Sequence, residues 1–424
     1  MKIHCCGIGG IGLSAYASLQ RLAGHTVSGS DRISSALTDD LASQGIRVTT
    51  NQIAAALPPD ADLLVYSEAV PDDAPERALA RSIGIPQASY PEALGTLASG
   101  YDVIAVCGTH GKSSTTAMAA RMLVECGKDP TVVVGTKMKE FGGRNWRKGD
   151  SRIFLLEACE YRRSFLHYLP RTILLTTCDG DHFDYFHSPE DYRSAFVEFG
   201  LRLAGGTLIT HMSDPLCADV AVAAKAEVVD ADRFPLAELA TPGRHMQQNA
   251  QLALALAATL DIEATEAERS LRGFDGTWRR MELKGFFRKN NPVIDDYGHH
   301  PAEIRATLSA LREKYPEHRL ICVFQPHTHD RTLKLYNDFL HAFGDAELVI
   351  IPNVYDAREH LETAAVNVDH LVADMKAAGV DAINGLSLRH TESLLRSTIV
   401  RSGDLLVCMG AGDITDLATS MVKN

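Results

Sequence analysis

One short stretch constrains the fold more than any other part of the chain. The apolar run Val103–Cys107 leads directly into Gly108-Thr109-His110-Gly111-Lys112, and two serines follow it. This pattern predicts a buried strand, a loop whose backbone N–H groups surround phosphate oxygens, and a helix beginning at the loop. Lys112 would reach the β/γ-phosphates, and Ser113 would offer its hydroxyl to Mg²⁺. Val106 occupies the first glycine position of a full GxxxxGK[ST] motif, and Gly108 supplies the bend. The alternative, a bare helix-capping turn, is disfavoured because an unpaired lysine gains nothing there.

A second glycine loop lies at the amino terminus. Gly7-Ile8-Gly9-Gly10-Ile11-Gly12 satisfies GxGxxG after an apolar run, and Asp31 follows the next strand, where such folds bind a ribose or base. The loop alone would suit NAD equally well, and its glycines could serve strand–helix packing only. The second phosphate loop disfavours a nicotinamide enzyme, since a simple dehydrogenase does not need an ATP site.

Acidic residues follow the next two predicted strands, Ile153–Leu156 and Thr172–Thr176. They lie in the segments Glu157–Glu160 and Asp179–Asp184. Carboxylates at the carboxyl ends of parallel strands face the crevice in which ligands bind. The segments therefore contain candidate Mg²⁺ ligands. The alternatives are a surface ion pair for Glu157 and a capping or core role for His182, because Mg²⁺ takes nitrogen ligands reluctantly.

Strands and helices alternate along the chain, which predicts parallel sheets covered on both faces. Asp62–Tyr66 is a further strand candidate in the first part. The final third adds candidates at Leu320–Phe324, Leu348–Ile351 and Leu405–Cys408. We expect three α/β domains: a Rossmann-like domain over residues 1–98, a central P-loop domain over 99–275, and a Rossmann-like carboxy-terminal domain over 276–424.

Composition excludes several classes of protein. The net charge of −12 over 424 residues disfavours binding to nucleic acid. No apolar run is long enough to span a bilayer and nothing resembles a signal peptide, so we expect a cytoplasmic protein without membrane contact. The nine cysteines show no CxxC spacing, so we expect reduced thiols packed in strands.

The chain resembles the Mur ligases over nearly its whole length, with motifs in the family's order. The similarity is greatest to the branch that attaches L-alanine to UDP-N-acetylmuramate. Besides the segments above, the resemblance rests on Tyr66–Val70, Gly243–Asn249, Gly276–Arg280, Asp295–Pro301, Gln325–His327, Arg331-Thr332, Tyr355–Glu359 and Gly410–Ile414.

The resemblance implies ATP- and Mg²⁺-dependent ligation of L-alanine to UDP-N-acetylmuramate through an acyl phosphate, in peptidoglycan synthesis, by a monomer or homodimer. The residues that would bind the UDP-sugar are Gly7, Gly9, Gly12, Asp31 and Ser67. Those that would bind ATP are Gly108, Thr109, His110, Gly111, Lys112, Ser113, Ser114, His245, Asn249, Arg280 and Asp296.

The remaining implied sites concern the metal, the amino acid and catalysis. Ser113 and Glu157 would hold one Mg²⁺, and His182 would hold a second. The residues that would line the L-alanine site are Tyr297, His299, His327 and Arg331. The catalytic set would comprise Lys112, Glu157, His182, His299 and Arg331, with His299 as the candidate to accept the ammonium proton.

Four departures from the family pattern bear on these roles. Ser113-Ser114 replace threonines, which retains the hydroxyls. Met246 and Thr177 each replace a common asparagine, and His329-Asp330 replace a frequent Tyr-Ser pair near the amino-acid site. The alternatives are a ligase that attaches a preformed tripeptide to the same sugar, a folate polyglutamate ligase, and a non-catalytic UDP-sugar-binding relative. The amino-terminal glycine loop argues against the folate enzyme, and retention of Lys112 and Glu157 argues against the non-catalytic protein.

Overall fold

Three β-sheets form the framework of the chain. The computed structural model describes residues 1–182, 185–203, 205–355 and 365–423. The chain divides into two compact units, one comprising Met1–Pro235 with Gln251–Ser270 and the other Leu236–Ala250 with Leu271–Asn424. The first two sheets belong to the first unit and the third sheet to the second unit. The predicted α/β class with three sheet-based domains is confirmed, whereas the boundaries near 98 and 275 stay a proposal.

The first sheet is wholly parallel, with the order β3-β2-β1-β4-β5. Its strands are β1 (Lys2–Cys6), β2 (Thr26–Ser30), β3 (Arg47–Thr49), β4 (Leu63–Tyr66) and β5 (Gln87–Ser89). The helices that alternate with them are α1 (Ile11–Leu22), α2 (Ala36–Ser43), α3 (Pro75–Ile83) and α4 (Tyr90–Ala98). The strands expected before the glycine loop and before Asp31 are β1 and β2, and the candidate Asp62–Tyr66 is confirmed as β4.

The second sheet has the order β12-β11-β10-β6-β9-β7-β8. Its strands are β6 (Asp102–Cys107), β7 (Thr131–Met138), β8 (Arg144–Arg147), β9 (Ile153–Glu157), β10 (Thr172–Leu175), β11 (Thr207–Thr210) and β12 (Glu227–Asp230). The helices of this part of the chain are α5 (Lys112–Glu125), α6 (Pro189–Gly200), α7 (Pro215–Ala224), α8 (Arg244–Thr259) and α9 (Ala264–Arg272).

The third sheet has the order β13-β14-β18-β15-β16-β17. Its strands are β13 (Glu282–Phe287), β14 (Asn291–Asp296), β15 (Arg319–Phe324), β16 (Leu348–Ile351), β17 (Ala382–Asn384) and β18 (Asp404–Met409). The accompanying helices are α10 (Pro301–Lys314), α11 (His329–Lys334), α12 (Tyr336–Leu340), α13 (Val368–Ala377), α14 (Leu388–Leu394) and α15 (Ile414–Val422).

The second and third sheets each carry one antiparallel strand at an edge, which departs from the expectation of purely parallel sheets. Strand β8 pairs antiparallel with β7, and β13 pairs antiparallel with β14. Both pairs are hairpins with short connections, which cannot make the long crossover that parallel pairing needs. The polar sequence Arg-Asn-Trp-Arg of β8 also hid this strand from a search for apolar runs.

The cysteine expectation is correct for five of the nine side chains. All nine are free thiols. Those in strands are Cys5, Cys6, Cys107, Cys322 and Cys408. Of the others, Cys159 is exposed, and the buried Cys178 and Cys217 lie with their sulfur atoms 3.9 Å apart. Across the described part of the chain, no helix combines the length and apolar character needed to cross a membrane.

Candidate active site

The amino-terminal glycine loop lies at the carboxyl end of the first sheet. Gly7 N–H donates to Ser30 O at 2.8 Å, and Ser67 N–H donates to Cys6 O at 3.0 Å. Gly9 N–H donates to Asp31 Oδ2 at 2.7 Å. Asp31 therefore anchors the loop through one carboxylate oxygen. The structure brings the predicted UDP-sugar residues together at one edge, and their contacts with a ligand stay a prediction.

Gly12 shows why the third glycine of this motif carries no side chain. A Cβ at position 12 would lie 2.6 Å from the Tyr90 ring of α4. The helix that follows the loop can therefore pack close to its neighbour only without that carbon.

The phosphate loop is held by residues of neighbouring elements. Thr109 N–H donates to Thr177 O at 2.9 Å, and His110 N–H donates to Thr177 Oγ1 at 3.0 Å. Thr109 Oγ1 is 2.9 Å from Tyr192 OH on α6. A Cβ at Gly108 would lie 2.0 Å from Thr176 Oγ1, and its φ of +139° is one that other residues rarely adopt. Thr177, noted as a departure from the family pattern, thus anchors the loop.

Lys112 begins α5, and its ammonium group turns back to the loop. Its Nζ donates to Gly108 O and Thr109 O and lies 3.0 Å from Glu160 Oε2. Burial alone would lower the pKa of Lys112, but the carboxylate of Glu160 outweighs burial, so the pKa is raised. Lys112 is therefore a permanent cation in the loop. Ser114 lies in the same first turn and is buried.

Ser113 and Glu157 meet as predicted for two oxygen ligands of one Mg²⁺. Ser113 Oγ donates to Glu157 Oε1 at 2.9 Å, and Gly135 N–H donates to Glu157 Oε2 at 2.6 Å. A hydroxyl and a carboxylate beside a phosphate loop are the hard oxygen donors that Mg²⁺ prefers. These two residues fit the metal.

His182 meets Glu160 rather than Glu157. Its Nε2 is 3.6 Å from Glu160 Oε1, and its ring lies 4.6 Å from that of Tyr161. Burial lowers the pKa of His182, but contacts with Cys159 and Glu160 outweigh burial and raise it to about 10. In this arrangement His182 is an imidazolium without a lone pair for a metal. Among the described residues, no group of three or more His, Cys, Asp or Glu side chains could hold a metal ion. The metal role of His182 stays a prediction that requires loss of a proton.

In the second unit, Asp296 and Arg280 lie in one polar network. Asp296 accepts hydrogen bonds from the N–H groups of Met281 at 2.7 Å and Gly298 at 2.8 Å. Burial raises the pKa of Asp296 to about 6, against the opposing charge of Arg280. Arg280 is 3.6 Å from Glu303 and lies over the Tyr297 ring at 5.2 Å.

His245 and Asn249 share one face of α8 near its start. Burial, followed by the positive charge of Arg280, lowers the pKa of His245 to about 4. His245 is therefore neutral near pH 7, which suits a contact with an uncharged base. The Asn249 amide is 3.9 Å from the sulfur of Met246, which replaces an asparagine common in the family. Adenine contacts of both residues stay predictions.

The four predicted amino-acid residues form one cluster in the second unit. His299 Nδ1 is 3.1 Å from Tyr297 O, and the rings of His299 and His327 are 5.8 Å apart. Arg331 Nη1 is 3.1 Å from His327 Nδ1. Glu303 accepts from the N–H groups of His299 at 3.0 Å and His300 at 3.2 Å, which sets this turn at the start of α10.

Two of the predicted segments fall partly outside the described residues: Phe183-Asp184 of the acidic segment, and the residues 356–359 that follow Tyr355. Sequence reasoning also missed several residues that contact the predicted site residues. These are Gly135, Thr176, Tyr192 and Glu303. Glu160 was noticed only as part of a metal segment, and its true neighbour, Lys112, is 48 positions away.

Comparison with known families gives three matches along the chain. Residues 2–102 match the model described as "Mur ligase family, catalytic domain". Residues 106–251 match "Mur ligase middle domain", and residues 279–412 match "Mur ligase, glutamate ligase domain". The chain belongs to the Mur ligase family. It is therefore an ATP-dependent amide ligase at the family level, as the resemblance implied.

Relatives match this Mur ligase over its full length. UDP-N-acetylmuramate–L-alanine ligase of Agathobacter rectalis is 36% identical over 100% of this chain and 98% of its own. The enzyme of the same name from Clostridium kluyveri is also 36% identical, over 97% and 96% of the two chains.

Solved structures share the whole fold. UDP-N-acetylmuramate-alanine ligase of Thermotoga maritima has a TM-score of 0.84 and 27% identity, covering 100% of this chain and 98% of its own. A murein peptide ligase of Psychrobacter arcticus has a TM-score of 0.73 and 21% identity, with coverage of 99% and 98%, which shows the fold alone.

Proposed function

We propose that this Mur ligase joins L-alanine to the lactyl carboxylate of UDP-N-acetylmuramate, using ATP, in cytoplasmic peptidoglycan synthesis. The observation that carries the proposal is the 36% identity to enzymes of that name over the full chain. The cluster of Tyr297, His299, His327 and Arg331 supports it, since it contains an arginine whose guanidinium can pair with an amino-acid carboxylate.

Amide formation from a carboxylate and an amine in water is uphill, so the carboxylate must be activated. In our proposal the γ-phosphoryl group of ATP passes to the lactyl carboxylate, which gives an acyl phosphate and releases ADP. The amine of L-alanine attacks the acyl carbon, and phosphate leaves. The protein's contribution is to position the reactants and to offset negative charge, which suits the cations Lys112 and Arg280.

Ser113 and Glu157 would hold Mg²⁺, since their oxygen atoms meet beside the phosphate loop. The ion would offset repulsion between the triphosphate and the incoming carboxylate. His182 could contribute a further ligand only in its deprotonated form.

The amino acid would bind with its carboxylate on Arg331, whose planar guanidinium can donate two parallel hydrogen bonds. His299 would accept the ammonium proton. A carbonyl oxygen can only accept, so the contact between His299 Nδ1 and Tyr297 O places the ring proton on Nδ1. In the neutral ring, Nε2 then carries the lone pair that takes a proton.

The deciding experiment is a mass measurement of the product. UDP-N-acetylmuramate and Mg-ATP are supplied with equal amounts of L-alanine, glycine and L-serine, and in a parallel reaction with the wall tripeptide. We expect the mass of the L-alanine adduct as the main product. A dominant tripeptide adduct would instead support the alternative ligase that attaches a preformed tripeptide, and sugar binding without ADP release would support a non-catalytic protein. Size measurement in solution decides between monomer and homodimer.

A further inference from the structure

The ammonium group of Lys112 has no hydrogen left for a phosphate. A lysine ammonium carries three N–H donors. Here Nζ contacts Gly108 O, Thr109 O at 3.1 Å, and the Glu160 carboxylate at 3.0 and 3.1 Å. Each donor direction is therefore occupied. A nucleotide phosphate can bind Lys112 only by displacing one of these partners.

Of the three partners, Glu160 is the one that a phosphate can replace directly, because both are anions. The two carbonyl oxygens belong to the loop that would itself surround the phosphates, whereas Glu160 supplies an anion from outside the loop. Its side chain is fully buried, which strengthens the pair and keeps water from competing. Exchange of one anion for another keeps the buried ammonium paired throughout.

Glu160 also has partners that remain when Lys112 leaves. Its Oε1 is 3.6 Å from His182 Nε2 and accepts a hydrogen bond from Tyr192 OH at 3.4 Å. The same Tyr192 hydroxyl is 2.9 Å from Thr109 Oγ1 in the phosphate loop. When Lys112 is released, the buried carboxylate of Glu160 therefore keeps polar partners. A buried carboxylate without partners would strongly destabilise the fold.

We propose that Glu160 is a positioning residue that holds Lys112 in the nucleotide-free enzyme and yields it to the phosphates of ATP. The ion pair keeps the loop lysine fixed and paired before nucleotide binds, and every nucleotide-binding event must break it. Glu160 thus lowers the affinity for nucleotide and keeps the Lys112 side chain in one position before nucleotide binds. This inference rests on the proposed ATP site around Lys112.

The test is the affinity for a Mg-bound, non-hydrolysable ATP analogue, measured by isothermal titration without sugar or amino acid. Glu160→Gln removes the competing charge and keeps the size, so we expect the Kd to fall about 3- to 10-fold. A residue of merely structural importance would weaken binding when replaced. An unchanged or higher Kd in Glu160→Gln overturns the proposal.

The matched control is Glu140→Gln. Glu140 pairs with Arg121, a cation on the same helix α5, at 3.0 Å, so this variant removes the same charge from a similar pair away from the loop. We expect its Kd to equal that of the wild type. An equal fall in both variants would indicate a general charge effect and would contradict a role specific to Glu160.

The second experiment is a double-mutant cycle that combines Lys112→Ala with Glu160→Gln. In the Lys112→Ala background, Glu160→Gln should give no gain in affinity; the same gain would overturn the proposal. If Glu160→Gln does not fold, Glu160→Asp replaces it, because the shorter side chain draws the carboxylate away from Lys112. A Kd at or above the wild-type value in Glu160→Asp would then contradict the proposal. No acceptor is present, so an error about L-alanine leaves this result untouched.

Discussion

Gly135 N–H donates a 2.6 Å hydrogen bond to Glu157 Oε2, across two neighbouring strands of the second sheet. The other oxygen of Glu157 accepts from Ser113. A carboxylate fixed by two donors has one orientation, and that orientation faces the start of α5. The position of the proposed metal ligand thus depends on a glycine that the sequence does not mark as functional.

Gly135→Ala should reduce turnover by about 10- to 100-fold, since misplacement of a reacting group by about 1 Å has effects of this size. An added Cβ would lie 2.7 Å from both Glu157 oxygens, so the carboxylate must move. ADP release under saturating substrates measures the effect. Gly100→Ala is the control, because no atom lies within 4 Å of the Cβ that it would add. Equal rates in the two variants would show that the orientation of Glu157 is unimportant.

Lys112→Ala should reduce ATP-dependent ligation by at least about 1000-fold, because the loop loses its cation where phosphate charge develops. Binding of the UDP-sugar should stay within about twofold of the wild type. Ligation is followed by ADP release and sugar binding by titration calorimetry. Turnover like that of the wild type would refute the assignment of this loop to ATP.

Local patterns predicted much of the framework, because apolar runs and glycine turns act over a few residues. The strand Val103–Cys107, its loop and the following helix appear where the sequence indicates them. The residues that organise the site were harder to find. Glu160 meets Lys112, and Tyr192 meets Thr109, only through the tertiary fold. No local pattern encodes such a contact.

The edge hairpins were missed for a different reason. Strand β8 is short and polar, and its one large apolar side chain, Trp146, is not enough to give an alternating pattern. Yet the buried Asn145 in this strand donates to Ile11 O at 2.7 Å, and so connects the second sheet with the start of the helix after the first glycine loop. Pairing with a neighbouring strand, rather than local preference, creates β8.

Arg331→Met should raise the KM for L-alanine by about 10- to 100-fold, the size expected for loss of charge-assisted hydrogen bonds to a carboxylate. The affinity for ATP should stay unchanged. Arg331→Lys should recover part of the loss, because it keeps the charge without the planar fork. Initial rates at varied L-alanine measure both variants. Arg305→Met, at an exposed site on α10, is the control, and a similar KM in the two methionine variants would exclude Arg331 from the amino-acid site.

His245 should make the protein less stable as the pH falls from 6.5 towards 4. Burial and the charge of Arg280 lower its pKa from 6.5 to about 4 in the folded protein. Between these values the unfolded chain binds the proton and the folded protein does not, so the free energy of unfolding decreases as the pH decreases. The contribution lost between pH 7 and pH 5 is about 2 kcal/mol for a single group with this shift.

His245→Asn removes that titration, so its free energy of unfolding should depend less on pH than that of the wild type. Urea denaturation at pH 7 and pH 5 gives the two differences directly. His390→Asn changes an exposed histidine in the same unit and should keep the wild-type dependence. The neutral His245 ring is what allows a contact with an uncharged base without a buried cation. If His245→Asn loses as much stability between pH 7 and pH 5 as the wild type, folding does not lower the pKa of His245, and the argument for a neutral ring beside adenine fails.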